Sequence, residues 1–388
     1  MIRMFPLALP RPVRVCLCLA LLCLAGGTAA AASPHPLERS LWADASAMDL
    51  SSPAVRSSLF QARVTRLIVT AFGDGQTIYA DPLPPFTQMA AYVSKQDPLS
   101  ALITEGHAKG VKVYAAMDCL HWKPDLSSDD TGVVASRPDL VELNFTGGCG
   151  SPPTGKYGSP FIPEVRAGLA GIAAETAKRH PGLDGLVIEC RLPLDTLLGY
   201  SQGARIAFVT ERQFDPADMY PTDGGPFTEW TKWRLAQAGK LVRGVASAFR
   251  AARPGAKVAV VGSAQWSSLS TLWQNASLED WPAWMASSHL DEVILDSQED
   301  GLPADSAGPL DSAAIAKDAG PAPRSALVSL SSGGKALDPL GVIETVETVP
   351  IDGIVVRVGT PADLRRADVF WTRTLPLVGS ALLVRPGK

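Results

Sequence analysis

The chain has 388 residues, a net charge of −4 and 46% hydrophobic residues. That is ample apolar material for one large core. No Lys/Arg cluster or basic amphipathic stretch marks a nucleic-acid or membrane-surface binder, so neither partner is expected.

Arg3, Arg11 and Arg14 precede an apolar run from Val15 to Ala25, and small residues continue to Ala32. A basic start, a short apolar middle and a small-residue cleavage zone predict a secretory signal peptide over residues 1–32. The run is short for a membrane span and nothing later supplies one. None of Cys16, Cys18 and Cys23 follows the small residue that lipidation usually requires. The expectation is a periplasmic or secreted protein with no membrane anchor after cleavage, whose residues 33–388 form a single domain.

Leu41 to Ala45 reads as a first strand, and Ser52-Pro53 opens a short helix through Gln61, with proline at the first helical position where its missing N–H costs nothing. Leu67 to Phe72 is a buried strand, ended by Gly73-Asp74-Gly75 and followed by a Pro-rich loop carrying Tyr79, Asp81 and Phe86. Asp97-Pro98 starts a helix that Gly110 stops. Val111 to Asp118 is the third strand, and a long loop precedes the helix from Pro163 to Lys178. Leu183 to Glu189 is the fourth strand, an apolar run ending abruptly in Glu189-Cys190-Arg191, followed by an irregular stretch from Leu192 to Phe227. The helix predicted over Thr228 to Ala252 places Ala238, Leu241, Val245 and Phe249 on one face. Strands at Lys257–Val261, Glu292–Asp296, Ala326–Leu330 and Gly353–Val358 then alternate with helices at Leu278–Ser287, with Ser277 as N-cap, Ser312–Asp318, Asp338–Val349 and from Thr360-Pro361 onward.

Eight strands apolar on both faces and alternating with helices demand a parallel sheet. This number of units predicts an α/β fold, a (β/α)8 TIM barrel with long loops after strands 3 and 4. A doubly wound open sheet is the alternative, disfavoured because no G-x-G-x-x-G follows the first strand.

In such barrels the reactive groups sit at the C-terminal strand ends, and here those ends are acidic: Asp44, Asp74, Asp118, Glu189 and Asp296. Aromatic side chains lie in the same loops, among them Tyr79, His121, Trp122, Tyr157, Tyr200, Tyr220 and Trp266. Carboxylates beside flat rings suit sugars, because rings stack on pyranose faces and two acids flanking a glycosidic bond can cleave it. Glu189 is the candidate general acid/base, with Asp118 or Asp296 as the opposing carboxylate. Arg191, His121, Trp122, Tyr200, Trp266, Asp44 and Tyr79 are the candidate substrate-binding residues, and a polysaccharide or oligosaccharide is the expected partner. The five histidines show no zinc-type spacing, and no P-loop, nucleophile elbow or dinucleotide fingerprint is present, so neither metal nor cofactor is expected. Of Cys119, Cys149 and Cys190, the first two fall at either end of one loop and are the favoured disulfide in an oxidising compartment. Cys119–Cys190 is the competing pair.

Several stretches, in order, resemble the glycosyl-hydrolase-like family 10. Asp97-Pro98-Leu99 leads through Glu105-Gly106-His107-Ala108-Lys109-Gly110 to Val111-Lys112-Val113, and Asp184-Gly185-Leu186-Val187-Ile188-Glu189 is similar to the family's focal strand. Gly199-Tyr200-Ser201, Phe208 and Asp215-Pro216 resemble the loop after it, and Trp230, Trp233 and Arg234 the opening of the next helix. The resemblance covers about residues 38–265 and implies an exported bacterial barrel associated with glycan cleavage, including peptidoglycan strands. One departure matters: the focal strand ends in Glu189 where the family usually has Asp. A carboxyl one methylene further out changes the reach available for acid–base work. The expectation is an exported glycoside hydrolase. The rival is a glycan-binding barrel that has lost its catalytic pair, and a Glu189 turned into Arg191 would move the acid role to an aspartate.

Overall fold

The computed structural model describes residues 37–60, 63–93, 97–124, 129–149, 155–193, 197–220, 223–264, 277–287, 289–296, 322–330 and 351–371. Eight parallel strands run in chain order around the sheet: β1 (Glu38–Ala43), β2 (Arg66–Gly73), β3 (Lys112–Asp118), β4 (Gly185–Glu189), β5 (Lys257–Ser263), β6 (Glu292–Asp296), β7 (Arg324–Leu330) and β8 (Gly353–Val358). Because β1 pairs with both β2 and β8, the sheet closes into a barrel. All eight expected strands are present. Apart from one short helix in the loop after β3, the α-helices among the described residues are α1 (Pro53–Leu59), α2 (Pro98–Ala108), α3 (Pro163–Arg179), α4 (Gln202–Arg212), α5 (Gly225–Ala252), α6 (Trp281–Ala286) and α7 (Pro361–Val369). The helices expected over Ser312–Asp318 and Asp338–Val349, and the leader, lie outside the described residues. Among the described residues no helix is long and apolar enough to cross a membrane.

Strand periodicity sorts the side chains into two cores. Trp42, Ile68, Tyr114, Ala116, Val187, Ala259, Val261, Ile294 and Val355 fill the barrel interior. The alternate residues pack outward against the helices, where Ala238, Leu241, Val245 and Phe249 of α5 are all buried as their spacing predicts. Leu241, Val245 and Phe249 each contribute about 1.5–3 kcal/mol by leaving water. At the lower end of the barrel Arg66 donates to both carboxylate oxygens of Glu292, at 2.5 and 2.9 Å, and to Ser40 Oγ at 2.7 Å.

The helix starts follow local chemistry. Asp97 accepts from the Leu99 N–H at the head of α2, and Gly110, at φ +71°, turns the chain into β3. Thr360 and Asp363 form a reciprocal capping box on α7. Two expectations are corrected here. The stretch Leu192–Phe227 is not wholly irregular, since Ser201 caps α4 by accepting from the Ala204 N–H. Further on, the helix expected from Leu278 begins only at Trp281, with Asp280 rather than Ser277 as its cap. Asp280 wins because its carboxylate reaches the Ala283 N–H. The segment from Asp118 to Pro163 likewise carries an antiparallel pair, His121–Lys123 with Lys156–Tyr157, and a short helix at Gly132–Ser136.

Candidate functional site

The period of two that buries Ala116, Val187, Ile294 and Val355 inside the barrel places the residues two further on at its C-terminal mouth. These are Asp118, Glu189, Asp296 and Arg357. Asp118 and Glu189 are register partners on adjacent strands. Four separate strand ends thus converge on one rim.

Glu189 is 8% exposed at its side chain and is held between two guanidiniums. Arg191 donates to its Oε1 and Arg357 to its Oε2. Burial opposes ionisation, but Arg357 and Arg191 outweigh it and hold the carboxyl down at about 2. Arg191 also donates to Asp296 Oδ2 at 3.0 Å, and its Nε lies 4.0 Å from Glu279 Oε1. Glu279 is itself buried and accepts from the Ser263 N–H at 2.8 Å. Arg357 Cζ lies over the Trp42 ring, 3.8 Å from its centroid, and the Trp42 indole N–H donates to Thr70 Oγ1 at 3.0 Å.

Asp118 stands outside this cage, with 28% of its side chain exposed. Its Oδ1 accepts from the His121 N–H at 3.2 Å, and its Oδ2 lies 4.0 Å from His121 Nδ1. Burial and the charge of Glu189 push its carboxyl up to about 7. Asp74 is raised to about 6 by burial and by Asp118, with Asp44 adding to the effect. Asp74 and Gly75, at φ +52° and +67°, turn β2 back on itself so that Phe72 and Gly73 pair with Thr77 and Gln76. An Asp-Gly pair is what a two-residue hairpin with left-handed central residues selects, and it fixes Asp74 over the rim. Neighbouring carboxyls driven apart in this way are how a site assigns separate acid and base roles.

The other expected site residues divide. His121 is half-buried and stacks on Tyr157 with ring centroids 4.9 Å apart, beside Asp118. Asp44 accepts from the Ser46 N–H and hydroxyl at 3.0 and 2.9 Å, close enough to Arg357 to raise its pKa. Arg191 is committed to protein carboxylates rather than open to substrate. Three aromatic expectations are corrected. Trp122 is 2% exposed: its indole N–H donates to the Cys119 carbonyl at 3.0 Å, and a Cβ on Gly158 would come within 2.3 Å of its ring. Tyr79 is buried away from the mouth, its hydroxyl 3.2 Å from Thr176 Oγ1 and its ring under the Arg179 guanidinium at 4.9 Å. Tyr200 is 8% exposed and packs on Trp230 at 4.8 Å. Trp266 lies outside the described residues. Cys119, Cys149 and Cys190 are free thiols, so the expected Cys119–Cys149 bridge is not formed. Cys119 is buried in the shell between barrel and helices, whereas Cys149 sits on a partly exposed turn. Among the described residues no group of three or more His, Cys, Asp or Glu side chains is arranged to hold a metal ion.

Sequence reasoning missed Arg357, Asp74 as a titrating group and Glu279. Arg357 left a signal: it is a charge inside the apolar run Gly353–Val358, two residues past an interior valine. Replacing it tests the cage. The stability that Glu189 gains from its partners is complete above the carboxyl's ordinary value of 4.5 and is lost as pH falls toward 2. In Arg357→Gln the folded-state value climbs back toward 4.5, so acid unfolding followed by tryptophan fluorescence is expected at higher pH. An unmoved acid midpoint would show that Arg357 does not hold Glu189 ionised.

A closed parallel barrel with carboxylates and guanidiniums on its C-terminal rim defines a TIM barrel of the kind glycosidases use. In fold it is similar to the β-galactosidase of the psychrophilic Marinomonas ef1, at a TM-score of 0.58 and 11% identity over 90% of this chain and 61% of that one. The β-galactosidase of Bacillus circulans sp. alkalophilus is similar at 0.56 and 10% identity, over 83% and 50%. The chain belongs to the glycosyl hydrolase-like 10 family, whose pattern matches residues 54–334. It is 23% identical over 245 residues to the glycosyl hydrolase DigH of Escherichia coli K12, and the same figures hold for DigH of Shigella flexneri. These alignments cover 58% of this chain and 53% of each relative, so the chain spans about half the length of the curated relatives it matches. By family and by fold the protein is glycosyl-hydrolase-like.

Proposed function

We propose that this protein is an exported glycoside hydrolase that cleaves a bacterial polysaccharide, the glycan strand of peptidoglycan or an exopolysaccharide, by carboxylate acid–base catalysis. One observation carries the reading: two carboxyls in register at the rim are treated oppositely, with Glu189 caged by Arg191 and Arg357 and Asp118 left outside the cage. Asp118, raised to about 7, is about half protonated at neutral pH, and the protonated form delivers its proton to the leaving glycosidic oxygen. The acid role therefore passes from Glu189 to Asp118, as an Arg191 turned onto Glu189 requires. The charge of Glu189 holds the Asp118 proton in place. Asp296, from β6 and held by Arg191, serves as the opposing carboxylate. Asp74, raised to about 6 beside Asp118, returns the proton between turnovers. His121, beside Asp118, orients substrate hydroxyls.

The cage on Glu189 also favours a second reading, a glycan-binding barrel without turnover. The two separate by assaying purified protein for new reducing ends from peptidoglycan and from exopolysaccharides. Release of reducing ends from either substrate is the expected result. Retention of glycan with no new ends from any of them would leave the binding reading in its place.

A further inference from the structure

Two large apolar side chains that belong to none of the rim contacts above stand in water beside each other. Phe145 and Tyr220 are 51% and 61% exposed, with ring centroids 6.2 Å apart and planes tilted by 49°. They come from different segments, one following β3 and the other following α4; an antiparallel bridge from Asn144 to Leu198 ties the first to the stretch that precedes α4. Single exposed apolar residues are ordinary. A ring pair built from two segments needs more explanation.

The backbone beneath each ring is held by local hydrogen bonds. Asn144 Oδ1 accepts from the Thr146 N–H at 3.0 Å, the Thr146 hydroxyl at 2.8 Å and the Gly148 N–H at 2.9 Å, closing the turn that displays Phe145. The Tyr220 N–H donates to Asp223 Oδ2 at 2.5 Å. Phe145 rests edge-on against Tyr200 at 5.4 Å, and Tyr200 packs on Trp230 of α5. Aromatic rings fixed before a ligand arrives lose little conformational freedom on binding, which is where flexible surfaces lose affinity.

We propose that Phe145 and Tyr220 form a stacking platform for a pyranose unit of a glycan chain, a binding position additional to the acid–base rim. The inference rests on the reading that the protein acts on glycans. Size argues for a sugar over a protein partner. Two half-exposed rings offer on the order of 200 Å², whereas a stable protein interface needs about 800 Å² per partner. The tilted faces suit the C–H face of a pyranose, and the Tyr220 hydroxyl gives one polar group beside them.

The test uses the full chain, with insoluble peptidoglycan and an insoluble exopolysaccharide as separate probes in co-sedimentation. The double variant Phe145→Ala/Tyr220→Ala is expected to bind at least one of them about ten-fold more weakly or worse, while Phe145→Trp binds as the parent does. Turnover of a short soluble oligosaccharide by the double variant should stay at the parent level. Because both side chains are exposed, an unchanged melting temperature shows that the fold is intact. Binding of both probes within two-fold of the parent overturns the platform, as does a parent that binds neither. A concentration-dependent dimer lost in the double variant also overturns it, in favour of self-association. Asp118→Asn separates the two claims: a variant that still sediments with glycan keeps the platform even where no hydrolysis is found.

Discussion

Asp118→Asn is expected to lower kcat for glycan cleavage by about 10²–10⁴-fold, with KM close to that of the parent. The amide keeps the shape and the hydrogen bond from the His121 N–H but has no proton to give. A carboxyl raised to about 7 by burial and by Glu189 works as an acid while protonated, so the parent's rate should be full well below pH 7 and fall as pH rises through it. The variant should lack that basic limb. Melting temperature at neutral pH should rise rather than fall, because the amide removes the cost of ionising a carboxyl whose folded-state value is raised. Turnover within three-fold of the parent would take the acid role away from Asp118. In contrast, Glu189→Gln leaves two guanidiniums facing a neutral amide, so its loss of activity should come with loss of stability. That difference separates a reacting acid from a group that sets the field around it.

The second large effect is at the opposite end of the barrel. Arg66→Met is expected to destabilise the protein by about 3–5 kcal/mol, read as a lower urea midpoint with an unchanged slope. Arg66 is 1% exposed, pairs with Glu292 through two hydrogen bonds, lies 3.3 Å from Glu38 and stacks over Tyr114 at 5.1 Å. Burial opposes the charge on Arg66, and Glu292 and Glu38 outweigh it, holding the guanidinium above its usual range. Without Arg66, Glu292 keeps only Ser325 Oγ, at 2.6 Å, among these partners and becomes a buried charge without a cation. The double variant Arg66→Met/Glu292→Met should recover most of the loss, because a buried ion pair is worth little more than well-packed apolar side chains of similar volume. A double variant no more stable than Arg66→Met would mean that the pair contributes more than it costs. Glycan cleavage at a temperature where the variant is folded should be unchanged, since the reacting groups are at the other end of the strands.

The barrel was legible because a strand buried on both faces has to be written as a near-continuous apolar run, and runs such as Leu67–Phe72 or Val293–Leu295 have few other stable uses. The acids at the strand ends were legible for the same reason. A carboxylate closing such a run is tolerable only where the strand meets water, so Asp118, Glu189 and Asp296 could be grouped before any coordinates. Chain position said less about the loops. Tyr79, Trp122 and Tyr200 share loops with rim residues, yet each finds a better partner in a helix or a neighbouring loop. An aromatic ring gains more from burial than from waiting in water for a sugar. The free cysteines follow the same logic, since spacing along a loop does not tell which side of a strand end a thiol faces.

By itself the sequence determined the eight strands, the closure they imply and the end of the barrel where acids collect. Those depend on local periodicity and on the cost of burying charge, and both can be read one residue at a time. Only the tertiary structure decided that Arg357 from the last strand joins Arg191 on Glu189, and that Asp74 and Asp118 are pushed above the ordinary carboxylate range. Protonation is set by charges a few ångströms away in space that lie far along the chain: Arg357 is 168 residues from Glu189. A closed barrel brings the last strand against the first, and with it a guanidinium that sets which rim carboxyl is held ionised.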